Sequence, residues 1–183
     1  MSEINDRYRR IAAQFSQRVD AVAPGDWDNP APPEGWVARD VVGHLDEWLS
    51  SFFFGNWEIE ASSEPTAQED PVGAWHRLDQ SLQAALDDTA IATAERDLPM
   101  GTMTFEQALD MICTNDILLH TWDLARATGL DETLDPAEVS TLLVSMEPMD
   151  ERLRTSGHYG PRVAVPDDAD DQTKLIAFIG RQP

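Results

Sequence analysis

The chain has 183 residues, enough to bury one sizeable core, and its 34 acids against 13 bases give a formal net charge of −21. An anion of this strength is repelled by nucleic acid and by anionic membranes, and no basic cluster offsets it; Lys174 is the only lysine. With nucleic acid and membranes set aside, the expected partner is a small-molecule ligand or substrate, and a homodimer stays open. No apolar run reads as a membrane span, the start MSEINDRYRR is polar rather than secretory, and the single cysteine, Cys113, has no internal disulfide partner. The expected location is therefore the reducing cytoplasm.

Along the chain, Ile4, Tyr8, Ile11, Ala12, Phe15, Val19 and Val22 recur at helical spacing and predict a first helix. Four prolines between Pro24 and Pro33 then mark a loop. Val37, Val41, His44, Leu45, Trp48 and Phe52 trace one stripe of a second helix, with Gly55 as its expected end. An acidic connection from Asn56 to Asp70 leads to Pro71, a good first-turn residue, and to a third helix running to about Ala92. Leu98 to Met103, with Pro99 and Gly101, breaks the pattern, and no stretch alternates strongly enough to predict a strand. Thr104 and Gln107 form a capping-box pattern that opens a long fourth helix, stopped by Gly129. Leu109, Met111, Ile112, Ile117, Leu118 and Leu119 make it apolar on more than one side, so it should be central. Asp135-Pro136-Ala137-Glu138 starts a fifth helix that Pro148 interrupts. Residues 156–166 read as a loop, and a short last helix covers about Asp170 to Ile179. The expected architecture is all-α: one domain over 1–183, a four-helix bundle to about residue 130 with a C-terminal helical extension over 131–183.

Asp116 and His120 lie four apart, hence one turn apart on one face of the fourth helix. A carboxylate in an apolar stripe is costly unless it is paired or bound to a cation, so the pair reads either as a two-point metal clamp or as a hydrogen-bonded core pair. His44 lies mid-stripe on the second helix. Alone it would read as a core histidine; facing the clamp it completes a two-nitrogen, one-oxygen set that leaves coordination positions open. Asp40 falls in the first turn of its helix, as a partner of the helix dipole or a contact behind the ligands. Asp46 and Glu47 read as solvated or as lying behind the ligands. Asp123, three beyond His120, either orients that imidazole or pairs with Arg126. His76 and His158 are not ligand candidates, Trp36, Trp48 and Trp122 read as core, and Cys113 as a buried, inert thiol.

Residues 35–45, GWVARDVVGHL, resemble the first metal motif of the DinB-like bundles, in the branch of the N-terminal domain of mycothiol-dependent maleylpyruvate isomerase. Residues 116–129, DILLHTWDLARATG, are similar to that branch's second motif, and the ending LIAFIGRQP is similar to a short actinobacterial subgroup described as metal-binding. The resemblance runs over nearly the whole chain. It implies one divalent ion, zinc or nickel, on His44, Asp116 and His120, with mycothiol as a candidate cosubstrate. Two departures stand out: Asp116 replaces a usual Glu or His, and Val37 replaces a Thr helix cap. Two functions follow as expectations, a metal-dependent thiol transferase or isomerase and a non-catalytic pocket that holds a small ligand; a structural metal is a third reading, opposed by the open coordination positions.

Overall fold

The structure is a computed structural model that describes residues 3–155 and 159–183; His158 lies outside the described residues. α1 (Glu3–Ala21) turns Tyr8, Ile11, Ala12, Phe15 and Val19 into the core, as the spacing predicts. α2 (Ala38–Leu49) opens at Val37, which has no side-chain acceptor; instead the Asp40 carboxylate accepts the Val37 N–H at 2.9 Å, supplying half of a capping box. The other Asp40 oxygen accepts from Gln68 at 3.1 Å, so Asp40 serves the helix start.

Gly55 does not end this helix. The chain runs on through a wide π-turn, Ser50–Phe54, and a last turn, Gly55–Trp57, and stops at Glu58 in the left-handed region (φ 54). The π-turn keeps Phe53, Phe54 and Trp57 on the buried side. α3 (Pro71–Asp87) has Asp70 as its N-cap and ends earlier than the periodicity suggests. Asp88 caps a separate single turn, Thr89–Ala92.

The break that follows holds an antiparallel hairpin, β1 (Glu95–Leu98) and β2 (Gly101–Thr104), joined at Leu98↔Gly101. It escapes sequence reading because its strands are short and mostly exposed, so no apolar alternation is required of them. Thr104 then makes the predicted capping box with Gln107. α4 runs as Phe105–Ala108, a second π-turn at Leu109–Cys113, and Thr114–Thr128, ending at Gly129 (φ 68). In the π-turn the Thr114 N–H reaches five residues back to the Leu109 carbonyl, which the Thr114 hydroxyl also meets at 3.1 Å. Met111 is exposed, but from Ile117 to Ala125 every residue is buried, so α4 is the central element.

α1 and α2 each pack against α3 and α4. α5 (Pro136–Met146), capped by Asp135, passes through a short 3-10 turn at Glu147–Met149 into α6 (Asp150–Thr155), a helix the pattern does not predict. α7 (Asp171–Phe178) is capped by Asp170 and packs on α5. Leu134, Val139, Leu142, Leu175, Ile176 and Phe178 join the same apolar core as α1 to α4, so the residues after 130 share that core. Apart from the hairpin the fold is helical, and no helix among the described residues is long and apolar enough to cross a membrane.

Ion pairs clasp α5 to α1. Arg7 meets Glu138 at 2.7 Å and Asp110 at 2.6 Å, while Arg10 meets Glu138 at 2.8 Å and Asp135 at 2.7 Å. Burial pushes the Glu138 carboxyl up, but its hydrogen bonds to Arg7 and Arg10 and their charges outweigh it and hold it below the ordinary 4.5. A depressed carboxyl contributes stability above its unfolded value, which is lost as pH falls through the folded one. Glu138→Gln is therefore expected to lower the melting temperature at neutral pH by roughly 2–8 °C, the equivalent of roughly 1–2 kcal/mol. The gap to the natural protein should narrow as pH falls below the ordinary carboxyl range and close once the folded Glu138 is protonated. Thermal melts across that range check it, and an unchanged gap in acid would assign the loss to packing instead.

Candidate metal centre

His44 comes from the middle of α2, and Asp116 and His120 from successive turns of α4, which packs against it. The second π-turn ends just before Thr114, so it sets the rotation at which Asp116 and His120 leave α4. His120 Nε2 lies 3.6 Å from Asp116 Oδ1, and His44 Nε2 lies 3.7 Å from Asp116 Oδ2. One ligand atom from each of the three falls within 4.8 Å of the other two. Donors about 2.0–2.2 Å from a tetrahedral ion sit roughly 3.3–3.6 Å apart, close to the distance from each imidazole to its nearer Asp116 oxygen, and the three groups must draw in from within 4.8 Å of one another to share one ion. These three residues can hold a metal ion.

Exposure is graded across the site. The side chain of Asp123 is 0% exposed, His120 7%, Asp116 23% and His44 36%, so the site is anchored in the core and opens on the His44 side. His120 Nδ1 lies 3.0 Å from Asp123 Oδ2. An ionised carboxylate only accepts, so Nδ1 carries the hydrogen, and in the neutral ring Nε2 is left as the lone-pair donor facing Asp116 and His44.

Asp123 is in turn gripped by Arg181. Its Nε donates to Oδ1 at 3.0 Å and its Nη2 to Oδ2 at 3.2 Å. Arg181 is a site residue that sequence reasoning misses. Arg126 was the arginine at helical spacing, but it points away, pairing with Glu132 at 2.7 Å and lying over Trp122 at 4.6 Å. Asp123 thus contacts His120, and its arginine comes from 58 residues along the chain rather than from one turn away.

Two tryptophans are also at the site rather than simply in the core. Trp48 Nε1 donates to Asp116 Oδ2 at 2.9 Å, and the Trp36 ring stacks on His120 with centroids 5.9 Å apart and stands 5.0 Å from His44. The signal for Trp48 is its place four residues after His44 on one stripe. Trp122 is core. Asp46 is not near the ligands; it pairs with Arg77 at 2.6 Å on the far side of α2, where Glu47 lines a separate groove. His76 pairs with Asp20 at 2.7 Å, remote from the three ligands. Cys113 is fully buried, and burial followed by the charges of Asp116 and Asp79 pushes its thiol well up, which keeps it inert.

The charges within the site oppose their own burial. Desolvation raises Asp116, but the His120 charge, the adjacent His44 and the Trp48 hydrogen bond bring it below its ordinary value. Burial lowers His120, but Asp116 and then Asp123 outweigh it and hold the imidazole above 6.5, against the opposing charge of Arg181. Burial raises Asp123, and His120 and Arg181 reverse that. A raised histidine stabilises the metal-free fold below its unfolded value and loses that contribution as pH rises through the folded one. In metal-free protein, NMR titration should place His120 above its ordinary value, and Asp116→Asn should bring it down. A His120 titration that ignores Asp116→Asn would contradict this electrostatic picture.

No family model matches the chain, and no solved structure matches it. The chain is similar to the uncharacterized protein Rv0738 of Mycobacterium tuberculosis strain ATCC 25618 / H37Rv, with 27% identity over 180 residues that cover 95% of each chain. It is equally similar to the uncharacterized protein MT0763 of M. tuberculosis strain CDC 1551, at 27% identity over 180 residues and 95% of each chain.

Proposed function

We propose that this chain is a metalloprotein of the DinB-like four-helix-bundle type, in which His44, Asp116 and His120 bind one divalent ion, zinc or nickel. The observation that carries the reading is the convergence of three ligand atoms from two facing helices within 4.8 Å. A carboxylate set between two imidazoles in a helix seam, with one Trp48 N–H as its near donor, is costly to desolvate unless it also meets a cation. The open side at His44 leaves room for a further ligand.

The reaction class that fits is metal-dependent thiol transfer or isomerisation of a small molecule, with mycothiol as the candidate cosubstrate. Bound there, the ion would lower the pKa of a thiol or water and so supply a nucleophile near neutral pH. The chain's own part is to orient. Asp123 fixes the His120 tautomer, Trp48 steadies the Asp116 oxygen, and Trp36 shields one side of both imidazoles. A second reading, a pocket that holds a small ligand without turnover, is favoured by the way neighbouring charges are already paired: Asp123 with Arg181, and Arg126 with Glu132. A panel of low-molecular-weight thiols with electrophilic acceptors separates the two, since only the first gives turnover.

Elemental analysis of protein purified without a metal-affinity tag is expected to find about one divalent ion per chain. At a hundredfold excess over its dissociation constant the ion adds ~2.7 kcal/mol, or roughly 5–10 °C in melting temperature, which chelator should remove and zinc or nickel restore. The gain should grow as pH rises above the ordinary imidazole range, because His120, held above its ordinary value, must lose the proton that competes with the ion. Coincident melts with and without chelator, and no metal on analysis, would overturn the proposal.

Variants assign the ligands. His44→Ala and His120→Ala should each abolish tight binding, His76→Ala should leave it intact, and Asp116→Asn should weaken it while the fold survives. Asp116→Glu should retain binding at some cost in packing. Metal titration of these five proteins decides; loss in His76→Ala with retention in His44→Ala would move the site elsewhere.

A further inference from the structure

The residues that follow α7 turn back onto the bundle. Gly180 turns back at φ +86, its N–H bonding the Ala177 carbonyl at 3.1 Å, and the Arg181 N–H bonds the Ile176 carbonyl at 3.0 Å. This turn aims the Arg181 side chain into the bundle, where its two donors meet both oxygens of Asp123. The turn is seated by a close backbone contact: a Cβ added to Gly180 would fall 2.8 Å from the Gly160 Cα and carbonyl carbon. Arg154 holds the same corner together, donating to the Gly160 and Phe178 carbonyls.

Asp123 is wholly buried, and the imidazole meets only one of its two oxygens, Oδ2. Without a cation beside it, Oδ1 would lose its donor and the carboxylate plane would be free to turn, which loosens the hold on the His120 Nδ1–H. Arg181 supplies that cation as a two-point fork, which fixes the carboxylate plane as well as its charge.

We propose that Arg181 is a positioning residue for the metal centre, acting through Asp123 on His120, so that docking of the 180–183 tail and metal binding at His44, Asp116 and His120 are coupled. The inference rests on the metal reading above and adds its regulation: an undocked tail gives a weak site, and a loaded site holds the tail down. Coupling between two binding events is reciprocal by linkage, so each half is open to measurement.

The test is calorimetric zinc titration of the full chain, the Arg181→Gln, Arg181→Lys and Asp123→Asn variants, and the Asp123→Asn/Arg181→Gln pair, with the metal-free melting temperature of each. Partners behind a metal-bound histidine typically govern about 10–100-fold in affinity. Arg181→Gln is expected to lose about tenfold, and Arg181→Lys to recover part of it as a single-point donor. The double variant is expected to bind no more weakly than Asp123→Asn alone, because the arginine has no second route to the ion. In parallel, zinc should slow amide exchange of residues 175–183 in the natural protein and fail to do so in Asp123→Asn. Should Arg181→Gln not fold, the exchange measurement still decides, since it needs only the natural protein and Asp123→Asn: zinc protection of residues 175–183 in both, or in neither, would overturn the coupling. Natural-protein affinity in Arg181→Gln, or losses that multiply in the double variant, would overturn the coupling while leaving the metal site standing. A natural chain that takes up no zinc overturns the metal reading and the coupling with it.

Discussion

Where α4 is enclosed by its neighbours, no water satisfies its polar side chains, and it buries several of them. Thr114, His120, Thr121 and Asp123 are buried, and Asp116 is largely so. Leaving any one without a partner would cost about 1–3 kcal/mol, and more for a charge, against a total stability of roughly 5–15 kcal/mol. The two threonines bond back to carbonyls of their own helix at 3.1 and 2.7 Å. The other three are not satisfied within the helix alone. His120 meets Asp123 one turn on, but Asp116 also takes the Trp48 N–H from α2, and Asp123 takes the Arg181 fork from 58 residues along, so placing α4 correctly obliges much of the rest to assemble around it.

That constraint explains which parts of the site are legible in the sequence. His44, Asp116 and His120 show themselves because each interrupts an apolar stripe, and a polar residue at such a position needs a reason. The helix starts at Thr104, Asp135 and Pro71 are equally legible, since capping is a local matter. Arg181 is not legible, because nothing local marks an arginine after a glycine as the partner of a carboxylate 58 residues earlier. Arg126 misleads for a complementary reason: helical spacing brings it near Asp123, but Glu132 offers an ion pair nearer the solvent, with less charge to desolvate. Trp36 and Trp48 read as core because aromatic residues usually are, and their polar edges matter only once a carboxylate and an imidazole stand beside them.

The acidic composition takes on a definite shape in three dimensions. Acids that cap helices or answer arginines, such as Asp70, Asp135, Asp170 and Glu138, hold the fold together. With this many anions in one small chain, the 13 bases are few, and α1 uses Arg7, Arg9, Arg10 and Arg18 to tie itself to Glu138, Asp87, Asp135 and Asp131. The first helix is in effect the cationic spine of an anionic protein. Its loss would leave the acids of α5 and the loops around it without their counter-charges.

The two π-turns carry a consequence for how this chain can vary. Each inserts one residue more than an α-helix needs, Ser50–Phe54 just beyond Trp48 and Leu109–Cys113 just before Asp116. A single-residue deletion in the second would convert it to ordinary helix and turn everything before it by about 100° relative to everything after. Either Phe105 and Leu109 would leave the apolar core, or Asp116 and His120 would leave the seam with α2. Descendants of this chain are thus free to lengthen or shorten the loops between helices. The residue count inside α4 is a different matter: it behaves as a fixed gauge, and a lineage that lost one position there would have to surrender either its packing or its ligands.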